Sequence, residues 1–156
     1  MEQEKIAVFP GSFDPITLGH TDVVRRALHL FDKIVIAVGQ NTSKKSLLKP
    51  ETRLKIIDNI FENEPKVEVT SFNELTVKFC KKQNAAYILR GLRNSKDFQY
   101  EQDIFAMNKQ LAPEIESIFL YSSTDVGFIS STIVREITLN KGDISGFVPP
   151  EVLEFI

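Results

Sequence analysis

The residues best suited to chemistry stand where short apolar runs give way to loops. The first such place is "GSFDPITLGH", residues 11 to 20, which lies between a β-branched run and an amphipathic helical stretch. Gly11 and Gly19 permit sharp turning and close approach, Pro15 stiffens the loop, and Asp14 can bond back into it. A helix entered at 17–20 presents unpaired N–H groups and the positive end of its dipole, which suits a phosphate, and His20 adds a donor. The second place is "RGLRN", where Arg90 and Arg93 offer fork-shaped donors matched to phosphate oxygens. The third is "GQNTSKK", where Lys44 can reach an anion. The fourth is "VGFISSTIVREI", where Ser130 or Ser131 can cap a helix whose start can also receive a phosphate.

Each feature has a plainer reading taken singly. These are a strand–turn–helix connector with a satisfied histidine, a solvated basic loop, a pair of solvated lysines and an ordinary helix cap. Together they place His20, Lys44, Arg90 and Arg93 on one rim of an otherwise acidic chain, a focused positive site that suits a polyphosphate. The Walker A lysine signature and G-x-G-x-x-G are both absent. So is any Ser/His/Asp arrangement or any His/Asp/Glu spacing for a protein metal cage, although Mg²⁺ can arrive on a nucleotide's phosphates. His29, in "RRALHLF", reads as a surface or packing residue. This inventory fits phosphoryl-type transfer, in which catalysis is mainly positioning and charge stabilisation.

The elements that must position these residues are strands and helices in alternation. "KIAVF" (5–9), "KIVIAV" (33–38), "KVEVTSF" (66–72), "AYILR" (86–90) and "SIFLYS" (117–122) read as strands. Val23, Val24, Ala27, Leu28 and Phe31 form one stripe of a helix over 20–31; Leu54, Ile57 and Ile60 or Phe61 do so over 50–61, entered through Pro50. Ile104, Met107 and Leu111 mark a longer helix ending near Pro113, another begins after Ser130 and Ser131, and Pro149 and Pro150 introduce a short last one. The alternation predicts an α/β fold, a Rossmann-like doubly wound five-stranded parallel sheet with helices on both faces, in one domain spanning 1–156. Ligands of such sheets bind beyond the carboxyl ends of the strands where strand order reverses.

Composition agrees with a globular chain: 156 residues, 42% hydrophobic, 26% charged, 12 Phe and no Trp. A net charge of −2 argues against sequence-independent nucleic-acid binding. Cys80 is the sole cysteine, so no intrachain disulfide forms, and its helical spacing in "TVKFCKKQ" reads as core. The acidic "MEQEK" start is unlike a signal peptide and no apolar run spans a bilayer, so a soluble, cytoplasmic protein is expected.

The stretch "GSFDPITLGH", with Thr17, Gly19 and His20, resembles the T/H-x-G-H motif of the nucleotidyltransferase superfamily. Lys44, "RGLR", "DFQYE" and "FISST" extend the likeness almost end to end, to the bacterial phosphopantetheine adenylyltransferases. That resemblance implies transfer of AMP from ATP to 4′-phosphopantetheine, giving dephospho-CoA and pyrophosphate with no covalent intermediate. It implies catalytic roles for His20, Lys44 and Arg93, with Lys44 and Arg90 on the acceptor phosphate and Arg93 on the ATP phosphates. Ser12 and Phe13 would touch substrate and nucleotide. Gly91, Leu92 and Glu101 would line the ATP site, and Val126, Gly127, Phe128, Ile129, Ser130, Ser131 and Thr132 would close over it. Thr76 falls at a pantetheine-contact position where a larger apolar residue is common, and Val126 and Gly127 replace bulkier residues. The family's habits further imply a homohexamer and coenzyme A as a feedback ligand. The rivals are an adenylyltransferase for nicotinate mononucleotide, in which histidine is common where Thr17 stands, and a regulatory nucleotide-binding domain without turnover.

Overall fold

A computed structural model describes residues 3–40 and 45–156. The expected strands form β1 (Ile6–Gly11), β2 (Lys33–Gly39), β3 (Val67–Phe72), β4 (Tyr87–Leu92) and β5 (Glu116–Tyr121). The helices are α1 (Leu18–Ala27), α2 (Pro50–Phe61), α3 (Thr76–Lys82), α4 (Ser95–Leu111), α5 (Ser131–Leu139) and α6 (Pro150–Leu153). The strands make one parallel sheet in the order β3-β2-β1-β4-β5.

Alternation along the strands divides the core into two layers. Ala7, Phe9, Ile34, Ile36 and Leu89 pack with Val23, Val24, Ala27, Ile56, Ile57, Val134 and Val152, so α1, α2, α5 and α6 cover one face. Ile6, Val8, Val35, Ala37 and Ile88 pack with Val77, Phe79 and Cys80 of α3 on the other. The sheet is therefore wound on both sides. Burial pushes the Cys80 thiol up to about 12, as befits a core residue.

Several boundaries differ from the expected ones. The first helix ends at Ala27 rather than 31: the Leu30 N–H turns back to the Ala27 carbonyl at 2.9 Å, and Lys66 Nζ donates to the Leu28 and Phe31 carbonyls of that turn at 2.9 and 3.2 Å. The buried side of α2 is Arg53, Ile56, Ile57 and Phe61; Leu54 is only half-buried, so the inward stripe sits one position earlier than its apolar residues suggest. On α4, Met107 and Leu111 are exposed and only Glu101 is buried, so the expected stripe of Ile104, Met107 and Leu111 is not its inward face. No helix among the described residues is long and apolar enough to cross a membrane.

Strand order reverses between β1 and β4, where the chain leaves β1 toward β2 on one side and reaches β4 on the other. The loop after β1 and the residues ending β4 thus meet, as expected of a switch-point site.

Candidate active site

The loop after β1 turns without help from its glycines. No glycine has positive φ; the left-handed residue is Phe13, at φ 47°. Gly11 serves close approach instead, since a Cβ there would meet the Phe13 ring at 3.0 Å. Asp14 is buried, and its carboxylate accepts the Leu47 and Leu48 N–H groups at 2.8 Å each, tying this loop to the segment after β2. Lys44, which the sequence places on that segment, lies outside the described residues.

Thr17 caps α1 by a reciprocal arrangement. Its Oγ1 accepts the His20 N–H at 3.4 Å, while its own N–H donates to His20 Nδ1 at 3.0 Å. This is a capping box with histidine in place of the usual Glu or Gln. A backbone N–H can only donate, so Nδ1 bears a lone pair and the ring proton sits on Nε2. Phe13 packs edge-on to the imidazole at a centroid distance of 5.1 Å. Burial, followed by the Arg90 and Arg93 charges, lowers the His20 pKa from 6.5 to about 4. The result is a neutral imidazole that donates from Nε2.

Both arginines are held by carboxylates. Arg90 donates Nε to Glu101 Oε1 and Oε2 at 3.0 and 2.9 Å, Nη2 to Oε1 at 2.6 Å, and Nη1 to the Pro10 carbonyl at 2.6 Å. Arg93 donates Nε to Asp97 Oδ2 at 2.9 Å, Nη2 to Oδ1 at 3.1 Å, and Nη1 to the Ile129 carbonyl at 3.1 Å. Each guanidinium has five N–H donors, so among the described residues each keeps one unpaired N–H on both terminal nitrogens. Burial raises the Asp97 pKa, but the Arg93 hydrogen bonds and the nearby charges outweigh it and the net shift is downward. Gly91, between the arginines, supplies closeness rather than freedom: a Cβ would meet Val23 Cγ2 at 3.1 Å.

These residues surround a cleft of about 330 Å³. Of the expected nucleotide residues it brings together Ser12, Phe13, His20, Gly91, Arg93, Glu101, Ile129, Ser130, Ser131 and Thr132, with Arg90 beside them. It does not bring Leu92, Val126, Gly127 or Phe128. Leu92 and Val126 turn into packed surroundings, Gly127 lies against Ser122 and Ser123, and Phe128 rests edge-on to Phe147. Ser130 occupies the cap position of α5 but makes no side-chain capping bond, and Ser131 Oγ donates to the Pro15 carbonyl at 3.1 Å. The first N–H groups of α5 therefore face the cleft without a side-chain cap.

A second chamber of about 210 Å³ adjoins the first, and Pro10, Gly11, Arg90 and Glu101 line both. Its other walls include Phe72, Thr76, Ile104, Phe105 and Phe119, and it is the more apolar of the two. The Arg90–Glu101 pair is the partition. Glu101, expected beside ATP, lines the cleft with its carboxylate paired to Arg90. His29 is exposed.

Sequence reasoning passed over Asp97, although Asn94 and Asp97 have the spacing of a helix start and the Asn94 side chain does accept the Asp97 N–H at 3.0 Å. It also passed over Arg53, a cation within an apolar stripe. Among the described residues no group of three His, Cys, Asp or Glu could hold a metal. Asp97 and Glu101 are both committed to arginines, so this cleft does not fit a protein-held Mg²⁺.

A family model described as cytidylyltransferase-like matches residues 8–137. A phosphopantetheine adenylyltransferase of Christiangramia forsetii is 50% identical over 148 residues, covering 95% of this chain and 97% of its own. One of Leptospira biflexa is 48% identical over 151 residues, covering 97% and 94%. A crystal structure described as a candidate nicotinate-nucleotide adenylyltransferase, from Vibrio parahaemolyticus, superposes with a TM-score of 0.69 at 22% identity, covering 97% of this chain and 91% of that one, a likeness of fold. With nearly half its residues shared end to end, this chain belongs to the phosphopantetheine adenylyltransferase family within the cytidylyltransferase-like group.

Proposed function

We propose that the chain, acting as one domain over 1–156, transfers AMP from ATP to 4′-phosphopantetheine and releases dephospho-CoA and pyrophosphate. The observation that carries this reading is the neutral His20 imidazole, Nε2–H outward, at a junction flanked by two arginines and two chambers. The polar chamber suits a nucleotide and the apolar one a pantetheine arm, with Thr76 along its wall. The acceptor phosphate then sits at the Arg90 partition, where Lys44 would join it, and the triphosphate lies against Arg93 and the start of α5. Ser12 faces the cleft directly, whereas the Phe13 ring is buried behind His20 and offers a ligand only its main chain.

No general base is needed. A phosphate monoester has its second pKa near ~6 and is largely dianionic at neutral pH. His20 could not serve as one in any case, since Nδ1 is occupied and Nε2 is protonated. The attacking phosphate oxygen bonds to the α-phosphorus as the bond to the pyrophosphate oxygen breaks in line. His20 Nε2–H and the free guanidinium N–H groups stabilise the charge that builds on the transferring group. Mg²⁺ would accompany ATP, held by its phosphates. We further propose a cytoplasmic homohexamer, with Phe98, Met107 and Leu111 of α4 and Tyr121 beside it covered by neighbouring copies, and coenzyme A as a competing ligand of the same chambers.

The test is a coupled pyrophosphate assay. Release with ATP and 4′-phosphopantetheine is expected; release with nicotinate mononucleotide alone as acceptor would overturn the reading, and no release with either would leave a regulatory domain.

A further inference from the structure

Arg53 is the only buried Lys or Arg among the described residues, at 1% exposure. It stands in the first turn of α2, where the helix dipole disfavours a cation. Nη1 donates to the Ser12 carbonyl at 2.6 Å, and more distantly to that of Gly39 at 3.5 Å. Nε and Nη2 are fully buried and have no hydrogen-bond partner among the described residues, and no described carboxylate forms an ion pair with it. A guanidinium cannot shed its proton, so a full positive charge is fixed behind the carboxyl ends of β1 and β2. Packing alone would be served better by an apolar side chain of similar volume, because an unmatched buried charge is costly.

The one strong bond Arg53 makes leads into the cleft. Ser12 and Phe13 both line it. The Ser12–Phe13 peptide is trans, since the sole cis bond among the described residues is Asp14–Pro15, so fixing the Ser12 carbonyl toward α2 directs the Phe13 N–H the opposite way. No described acceptor takes that N–H. Phe13 also holds φ 47°, a conformation that persists only where its surroundings enforce it.

We propose that Arg53 is a positioning residue for phosphate: it locks the strained Ser12–Phe13 turn with its N–H available to a polyphosphate and supplies a permanent buried positive charge behind it. The inference rests on reading the cleft as a nucleotide site, and deepens it. A bond from a cation to the Ser12 oxygen also polarises the peptide and strengthens its N–H as a donor.

The test compares Arg53→Met, Arg53→Gln and Arg53→Lys with wild type. Binding of inorganic tripolyphosphate is read by calorimetry, and thermal stability, kcat and KM are read alongside. Arg53→Met is expected to melt near or above the wild-type temperature yet bind tripolyphosphate about tenfold or more weakly, as for loss of a charged hydrogen bond. Arg53→Lys, which keeps the charge and one donor, should recover most of that affinity. Arg53→Met with a lowered melting temperature and wild-type tripolyphosphate affinity would overturn the proposal. Should Arg53→Met not fold, Arg53→Gln decides, because it keeps a polar N–H donor but carries no charge. Weakened binding supports the proposal, and unchanged binding, or failure of both variants to fold, overturns it. Wild-type protein that binds tripolyphosphate but does not turn over phosphopantetheine would refute the proposed reaction and leave the Arg53 comparison intact.

Discussion

The state of His20 is open to direct measurement. A pKa lowered from 6.5 to about 4 corresponds to about 3.4 kcal/mol in favour of the neutral ring, with burial the largest cause and Arg90 and Arg93 next. At pH 7 roughly one molecule in a thousand would carry the imidazolium, against about a quarter for an ordinary histidine. The sign for stability follows. The unfolded chain takes up a proton near pH 6.5 and the folded chain only near 4, so folding stability is lost as pH falls across that window. Between pH 7 and 4.5 the loss owed to His20 is about 2 kcal/mol. Denaturant unfolding of wild type and His20→Gln at both pH values isolates it, since the carboxylates common to both proteins cancel. Histidine ¹⁵N spectra from pH 3.5 to 8, with His29→Gln to separate the two rings, report tautomer and pKa together. An Nε2–H ring that titrates near 4 is expected. Titration near 6.5, or a proton on Nδ1, would refute both the capping geometry and the neutral-donor mechanism.

Other consequences can be tested in the same material. His20→Ala should lower kcat by about a hundredfold or more, on the order of 3 kcal/mol, with little change in either substrate's binding, as measured by steady-state kinetics and calorimetry. Glu101→Gln removes the charge that holds Arg90; it should cost about 1–3 kcal/mol of stability and raise the acceptor KM more than the ATP KM. Asp14→Ala leaves the Leu47 and Leu48 N–H groups unmatched, at a cost of about 2 kcal/mol and a fall in Tm of roughly 4–8 °C by calorimetric scan. Sedimentation should give a mass near six chains, and a strictly monomeric species at micromolar concentration would contradict the hexamer.

What the sequence determined by itself is what depends on neighbours along the chain. Strand runs and helical stripes are local periodicities, and they sufficed for five strands, for α2 from Pro50 to Phe61 and for winding on both faces. Thr17, Gly19 and His20 on a helix start, and Arg90 and Arg93 at a strand end, were likewise legible because a short motif carries its own chemistry. Tertiary structure decided whatever required two distant segments to meet. Only the order β3-β2-β1-β4-β5 sets the turn after β1 beside the end of β4 and so gathers His20 with both arginines. Carboxylates from α4 then take two of the five N–H donors of each arginine, Nε and one on Nη2, which a count of cations could not anticipate. The left-handed turn fell to Phe13 and not to a glycine because its ring is buried against Phe9 and His20, and that packing holds the backbone there. Arg53 lies inside because α2 is rotated by one position from its apolar stripe, and that rotation is set by the sheet it packs against.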